Sequence, residues 1–310
     1  MSKLASIGLP TFNGAKYVRR ALDSLAAQTY KNIEVIISDD ASDDDTFQIC
    51  ESYAKIFPRM KLSRNEKRGG YVNNFYRVLK EASGEYFMWA GQDDWWHPEY
   101  VEVLTGKLDA NPEYGLAMSS FQYMYEDGVV KQEILFNGEK DITSHNFYRN
   151  YMDALTVRNI HPSQVPYGLF RRNLLTRYLK CPLAERKAWD KIFVSEMALA
   201  ARFITVDRVL RFADTRKFSG KVEADMSKIY SGIPAPPKNA FWLIEPKFFK
   251  STHTNIFVTS IARAFRSPII PFHRKLLAPL PWLAAAWVRR RPLASSIWAD
   301  IIRYISGNQV

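Results

Sequence analysis

Ile33-Glu34-Val35-Ile36-Ile37-Ser38-Asp39-Asp40-Ala41-Ser42-Asp43-Asp44-Asp45-Thr46 runs from apolar, β-branched residues into a cluster of acids. Ile33–Ile37 reads as a buried strand that ends at Ser38-Asp39-Asp40. Thr46–Phe57 then reads as a helix. Upstream, Leu4–Leu9 is another short buried strand, stopped by Pro10. Asn13-Gly14 makes a turn that can cap a helix. Val18, Leu22 and Leu25 recur at helical spacing within Ala15–Gln28. Downstream, Tyr71–Ala82 reads as a helix and Glu85–Ala90 as a third strand. Strands alternating with helices predict right-handed βαβ units and a mainly parallel sheet. Ligands of open α/β sheets bind beyond the carboxyl ends of the strands. Three polar clusters fall there: Thr11–Asn13, Asp39–Asp40 and Gln92–Asp94.

Further along, 99–110 reads as a helix after Pro98, and Leu116–Tyr125 as a strand. Ala188–Ala201 reads as a helix and Phe203–Leu210 as a final strand. Pro234, Pro236 and Pro237 mark a linker at 221–240. The expected organisation is an α/β domain at 1–220, divided near residue 125 into two halves, then a basic C-terminal region at 241–310.

The 310 residues carry a net charge of +11, unevenly placed. Residues 1–160 hold 18 Lys+Arg against 23 Asp+Glu, and residues 161–310 hold 25 against 9. An acidic first half argues against a nucleic-acid binder. A basic second half suits an anionic surface or substrate. Cys50 and Cys181 form no CxxC pair or Cys/His cluster, so no zinc site is expected, and the usage fits a reducing compartment. The N-terminus carries no apolar signal run, and no stretch of about 18 apolar residues spans a bilayer.

Asp93-Asp94 follows the third strand and precedes Trp95-Trp96. Adjacent carboxylates repel unless a cation or hydrogen-bond donors offset them. A hard divalent cation shared with diphosphate oxygens would do so, and would stabilise charge on a departing nucleoside diphosphate. A solvated turn is the competing reading. Asp39-Asp40 could accept hydrogen bonds from a base or ribose, while Asp43–Asp45 reads as a solvated loop. Arg64, Lys67 and Arg68 precede Gly69-Gly70, where cation and backbone could approach a phosphate or base, or simply form a basic surface turn.

Pro10-Thr11-Phe12-Asn13-Gly14, Ala21-Leu22-Asp23-Ser24-Leu25, Gln28-Thr29-Tyr30 and the Glu34–Thr46 run resemble the start of a family-two glycosyltransferase. Ala82-Ser83-Gly84-Glu85-Tyr86 and Gln92-Asp93-Asp94-Trp95 resemble the approach to its Asp-x-Asp site. The resemblance covers residues 4–125 closely and 126–220 loosely. It implies a GT-A fold (a Rossmann-like α/β sheet with helices on both faces), here with a helical, basic C-terminal extension. It also implies a nucleotide-sugar donor (a UDP-sugar by family habit), Mg²⁺ or Mn²⁺, and inversion at the anomeric carbon. By matching position, Pro10, Thr11, Asn13, Asp40 and Arg68 line the nucleotide, with Thr11 and Asp40 on the base. Asp93 holds the ribose and Asp94 the metal. Gln92 departs from the more usual first Asp.

An inverting transfer needs a carboxylate to deprotonate the acceptor hydroxyl. Asp190 in Ala188-Trp189-Asp190-Lys191 is the expected base, with Glu185 as second choice. Asp190 could instead be a helix-start carboxylate favoured by the macrodipole. Arg216-Lys217 stand where the family often carries a basic residue facing the diphosphate. Gly168, in Tyr167-Gly168-Leu169-Phe170, matches a position that keeps the acceptor side open. Trp95 and Trp96 are read as one acceptor-side wall and one core residue, since adjacent strand side chains point apart. His161 is read as structural.

Residues 241–310 carry 10 Lys+Arg against 2 Asp+Glu. Leu276–Val288 is apolar but short and broken by Pro279 and Pro281, between His273-Arg274-Lys275 and Arg289-Arg290-Arg291. This pattern suits an interfacial element on anionic lipid; a helical appendage packed on the core or on a second subunit is the competing reading. The expected location is cytoplasmic, at the inner face of the membrane, with a glycan or lipid-linked glycan as acceptor. Two other classes compete with this reading. A nucleotidyltransferase would show a Gly-rich phosphate loop, and Pro10–Gly14 has one Gly. A non-catalytic binding module would not need Asp40, Asp93, Asp94 and Asp190 together.

Overall fold

The computed structural model describes residues 2–124, 130–134, 164–182, 189–214, 260–261 and 263–276. Glu185, Arg216, Lys217, His161, the 221–240 linker and the stretch beyond Leu276 lie outside them.

Strands β1 (Ala5–Thr11), β2 (Ile33–Asp39), β3 (Met60–Arg64) and β4 (Tyr86–Trp89) alternate with helices α1 (Val18–Ala26), α2 (Thr46–Ser52) and α3 (Tyr71–Lys80). Then follow β5 (Trp95–Trp96), α4 (Tyr100–Ala110), β6 (Tyr114–Met124), β7 (Val130–Ile134), β8 (Leu169–Arg171), α5 (Arg172–Tyr178), α6 (Trp189–Ala200), β9 (Arg202–Asp214) and α7 (Phe272–Lys275). The sheet order is β3-β2-β1-β4-β8-β6-β9-β5, with β7 paired to β6. The β1, β2, β3 and β4 pairings are parallel, as is β6–β9; β8 inserts antiparallel between β4 and β6.

The sequence pattern explains the layers. Ala5, Ile7 and Leu9 point to one face and share a core with Val18, Ala21, Leu22 and Leu25 of α1 and with Tyr100, Val101 and Leu104 of α4. On the opposite face, Gly8 leaves room for α3: a Cβ there would lie 2.7 Å from Val78. Helices therefore cover both faces, which lets the strands be apolar throughout.

The strand expected to stop at Pro10 runs on to Thr11. The Thr11 carbonyl accepts from Asp40 on the β2 side, while the Gly8 carbonyl accepts from Ala90 on the β4 side. The Pro10 nitrogen thus faces β4, beyond the last β1–β4 pair at Gly8 and Trp89, so its missing N–H breaks no ladder bond. β3 was not read from the sequence. Met60-Lys61-Leu62-Ser63-Arg64 alternates apolar and polar as an edge strand does, and has no continuous apolar run.

Glu34 is a buried acid within β2, held by donors. Its Oε1 accepts from the Ser6 hydroxyl (2.6 Å), the Ser83 N–H (2.6 Å) and the Ser83 hydroxyl (2.8 Å). Burial pushes its pKa up, but the Ser6 and Ser83 bonds outweigh burial and hold the carboxyl below its ordinary value. A depressed folded pKa stabilises above the unfolded pKa and is lost as pH falls through the folded value. Glu34→Ala should therefore cost about 2–3 kcal/mol at neutral pH, because it orphans buried donors. Denaturant melts should show the difference from wild type narrowing in acid.

The described residues fall into two compact units. The sheet with α1–α5 forms the first. In the second, α6 packs with residues 260–276: Arg263 grips Glu196 through Nε (2.5 Å) and Nη2 (3.2 Å), and Arg274 donates to the Leu199 and Ala200 carbonyls at the end of α6. Among the described residues no helix is long and apolar enough to cross a membrane.

Candidate active site

The sheet changes winding direction between β1 and β4. β1 to β2 to β3 steps one way, and the next crossover returns to the far side of β1. This is the switch point at which open α/β sheets bind ligands. The loops after β1, β2 and β4 meet there.

Gln92 ties two of them together. Its Oε1 accepts from the Phe12 N–H and its Nε2 donates to the Phe12 carbonyl, both at 2.9 Å. A primary amide matches a backbone N–H and C=O together; a carboxylate cannot donate. This gives a structural reason for Gln at a position where the family more often has Asp. Gly14 belongs to the same joint, since a Cβ there would lie 2.3 Å from Gln92 Oε1. Gln92→Glu should set a carboxylate against the Phe12 carbonyl and cost about 1–3 kcal/mol. Thermal melts would read this as a lowered Tm; an unchanged Tm would show the clamp to be idle.

Phe12 carries the Arg68 guanidinium over its ring at 4.3 Å, a flat cationic plate of the kind that suits bases and phosphates. Asn13 turns the chain at φ 45°, and its Oδ1 accepts from the Asp43 N–H. The Thr11 hydroxyl is buried and donates to Asp39 at 3.2 Å. Asp40 is 2% exposed. Its carboxylate accepts from Asn65 (2.6 Å) and from the Gly69 (2.8 Å) and Gly70 (2.9 Å) N–H groups. Gly70 sits at φ 91°, a conformation natural to glycine. The acid expected to meet the base thus also folds the Arg68-Gly69-Gly70 loop into place.

At the end of β4 the two adjacent acids have different surroundings. Asp93 is partly exposed, and its carbonyl accepts from Arg20 at 2.9 Å. Asp94 is 6% exposed; its Oδ2 meets Arg211 Nη2 at 2.6 Å and its Oδ1 accepts the Asp214 N–H at 3.3 Å. Arg211 is itself 4% exposed, hydrogen-bonds Gln164 and lies over the Tyr167 ring at 4.1 Å. Burial pushes the Asp94 carboxyl upward and Asp93 adds to this, while Arg211 opposes it. For Arg211, burial favours losing the proton, but Asp94 outweighs burial and raises its pKa. The pair is a buried ionic anchor. β9 delivers it, since Trp95 and Trp96 pair with Phe212 and Arg211.

Trp96 is buried in the core. Trp95 is partly exposed, stacked on Phe212 (5.4 Å) and capped by the Arg20 guanidinium at 3.8 Å. Arg20 also pairs with Asp214 at 2.5 Å. Gly168 is closely packed. A Cβ there would lie 2.6 Å from Leu116 and 2.8 Å from the Ala117 carbonyl, so its bareness serves packing on β6. Asp190 stands in the first turn of α6, partly exposed.

Thr11, Asp40, Arg68, Asp93 and Asp94 are therefore joined by a chain of contacts at one end of the sheet. Gln92's clamping role and the contributions of Arg20, Arg211 and Asp214 are added by the structure. Among the described residues no three His, Cys, Asp or Glu side chains form a ready metal cluster. Arg211 meets one Asp94 oxygen and the Asp214 N–H the other; a carboxylate has about four acceptor sites, so a cation held at Asp94 would share it with Arg211. The neighbouring, partly exposed Asp93 is a second carboxylate that could help hold Mg²⁺ or Mn²⁺ there.

An α/β sheet with acids and a cationic plate at its switch point defines a GT-A glycosyltransferase. The chain belongs to glycosyl transferase family 2, whose model matches residues 6–179. It is 43% identical over 112 residues to an uncharacterized glycosyltransferase of Rickettsia typhi, covering 35% of this chain and 34% of that one. It is 35% identical over 123 residues to the putative glycosyltransferase EpsH of Bacillus subtilis, covering 39% and 35%. These alignments span about a third of the curated relatives' length. Among solved structures it resembles S. aureus TarS 1–349 in complex with UDP-GlcNAc: TM-score 0.63, 20% identity, 92% of this chain and 73% of that one. It also resembles mannosyltransferase PcManGT from Pyrobaculum calidifontis in complex with GDP-Man and Mn²⁺: TM-score 0.50, 18% identity, 100% and 82%. At such identities the structural likeness establishes the fold.

Proposed function

We propose that this enzyme transfers a sugar, with inversion, from a nucleoside-diphosphate sugar to a hydroxyl of a glycan or lipid-linked glycan. The observation that carries this reading is the joint at the β1–β4 switch point. Gln92 clamps the backbone of Phe12, whose ring carries Arg68, and is followed directly by the partly exposed Asp93. A nucleotide needs a flat surface for its base and an acidic, cation-tolerant end for its diphosphate, and the joint fixes both relative to one another. A UDP-sugar is the favoured donor, and the TarS complexes with UDP and UDP-GlcNAc support that choice.

Mg²⁺ or Mn²⁺ held by Asp94, with Asp93 on the ribose, would supply charge stabilisation for the departing diphosphate. The rest of the chemistry falls to the chain. Phe12 and Arg68 bind and orient the base side. Asp40 keeps the Gly69-Gly70 backbone in place. Arg211 and Asp94 fix the turn that presents Asp93. Asp190 accepts the proton of the acceptor hydroxyl as that oxygen attacks the anomeric carbon from the face opposite the leaving diphosphate. Glu185 is the second candidate for the base, Arg216 and Lys217 are proposed to face the diphosphate, and Trp95 to border the acceptor. The basic C-terminal region is proposed to hold the enzyme at an anionic cytoplasmic membrane face.

A panel of UDP-, GDP- and dTDP-sugars, each with Mg²⁺ or Mn²⁺, should be scored for release of free nucleoside diphosphate. The expected result is release from one UDP-sugar. Release from none of the panel would contradict the reading.

A further inference from the structure

Three of the four large hydrophobic side chains exposed among the described residues fall within twelve positions: Phe265 (44%), Phe272 (75%) and Leu276 (52%). A single exposed apolar residue needs no explanation, but a cluster does. The segment that bears them is fixed on its other side. Ala264, Ile269 and Ile270 are buried, the Arg263–Glu196 fork is buried, and Arg274 holds the end of α6. The apolar prongs are thus turned outward from an anchored support.

The charge along this stretch of sequence has one sign. From Pro246 to Ala299 the sequence has no Asp or Glu and nine Lys or Arg. Arg266 and His273 are exposed beside the prongs, with Lys275 between Phe272 and Leu276. Exposed aromatic and aliphatic prongs with cations and no acid match an anionic bilayer surface: the rings enter the headgroup boundary and the cations meet lipid phosphates. A second copy of the same surface would meet like charge.

We infer that Phe265, Phe272 and Leu276, with Arg266, His273 and Lys275, form a membrane-docking foot for anionic lipid, anchored to α6 by Arg263 and Arg274. This rests on the membrane-side reading of the C-terminal region and gives it specific residues.

The test uses the full chain, sedimented with vesicles of phosphatidylcholine alone or mixed with phosphatidylglycerol. Wild type should pellet with the anionic vesicles only. Phe272→Ser with Leu276→Ser should weaken that partition by roughly ten-fold, with Tm and sugar-nucleotide hydrolysis unchanged because both side chains are exposed. Undiminished binding by the double variant would overturn the inference, as would wild type failing to bind anionic vesicles. A dimer-to-monomer change in light scattering with unchanged lipid binding would assign the prongs to a second copy and overturn it too. Should neither protein hydrolyse sugar nucleotides while the vesicle results come out as expected, the foot stands and the proposed reaction falls.

Discussion

Arg211→Met should destabilise the enzyme by about 3–5 kcal/mol, because it leaves a buried carboxylate without its cation. Among the described residues Asp94 has one other protein donor, the long Asp214 N–H bond, and burial already pushes its pKa up. Without Arg211 it would be driven further toward the neutral form. A folded pKa raised above the unfolded value stabilises at low pH and loses that contribution as pH rises. The penalty should therefore be smaller in acid than at neutral pH, a trend that mere loss of side-chain packing would not produce. Asp94→Asn with Arg211→Met should recover part of the loss, since no buried charge then remains unpaired. Chemical denaturation of wild type and the two variants at two pH values measures all of this. Equal penalties at both pH values would mean that Arg211 acts through packing alone.

Asp190→Asn should lower kcat by roughly 10²–10⁴-fold, the usual contribution of a positioned general base. The isosteric amide keeps the shape but cannot take the acceptor's proton. Affinity for the nucleoside diphosphate should stay within error. The competing role, a carboxylate favoured at the start of α6, makes a different prediction: loss of about 0.3–1 kcal/mol of stability and near-normal turnover. Steady-state kinetics with calorimetry of nucleotide binding separates the two. Normal turnover in this variant would remove Asp190 from the mechanism and pass the role to Glu185.

The first half of the sheet was legible because its strands carry the signal locally. Ile33–Ile37 and Leu4–Leu9 are apolar runs that end in polar clusters, and a parallel strand covered on both faces has that pattern. β3 escaped because an edge strand alternates, and five residues of alternation are hard to tell from a turn. β9 was read only to Leu210, although it continues through Phe212 to Asp214. Exposed Asp207 and Arg208 interrupt its apolar pattern, and its last residues are held by pairing with Trp95-Trp96.

The candidate site was legible only as an address. The acids at 93 and 94 stand out in the sequence, but which of them faces solvent is decided by Arg211, 117 residues away. Gln92 looked like a departure from the family pattern; its reason is the backbone of Phe12, 80 residues earlier. Arg20 meets Asp214 across 194 residues. Such pairs leave no local trace, because each partner alone reads as an ordinary surface charge. Gly168 shows the converse: its family match pointed to the acceptor side, while close packing on Leu116 and Ala117 by itself requires a bare Cα there.

Backbone hydrogen exchange, followed with and without UDP and Mn²⁺, tests most directly whether donor recognition sits at the β1–β4 joint. Added UDP with Mn²⁺ should slow exchange in the loops at 12–14, 68–71 and 91–95, leaving the amides of α4 unchanged. Slowed exchange confined to other parts of the chain, with those three loops unaffected, would contradict the account.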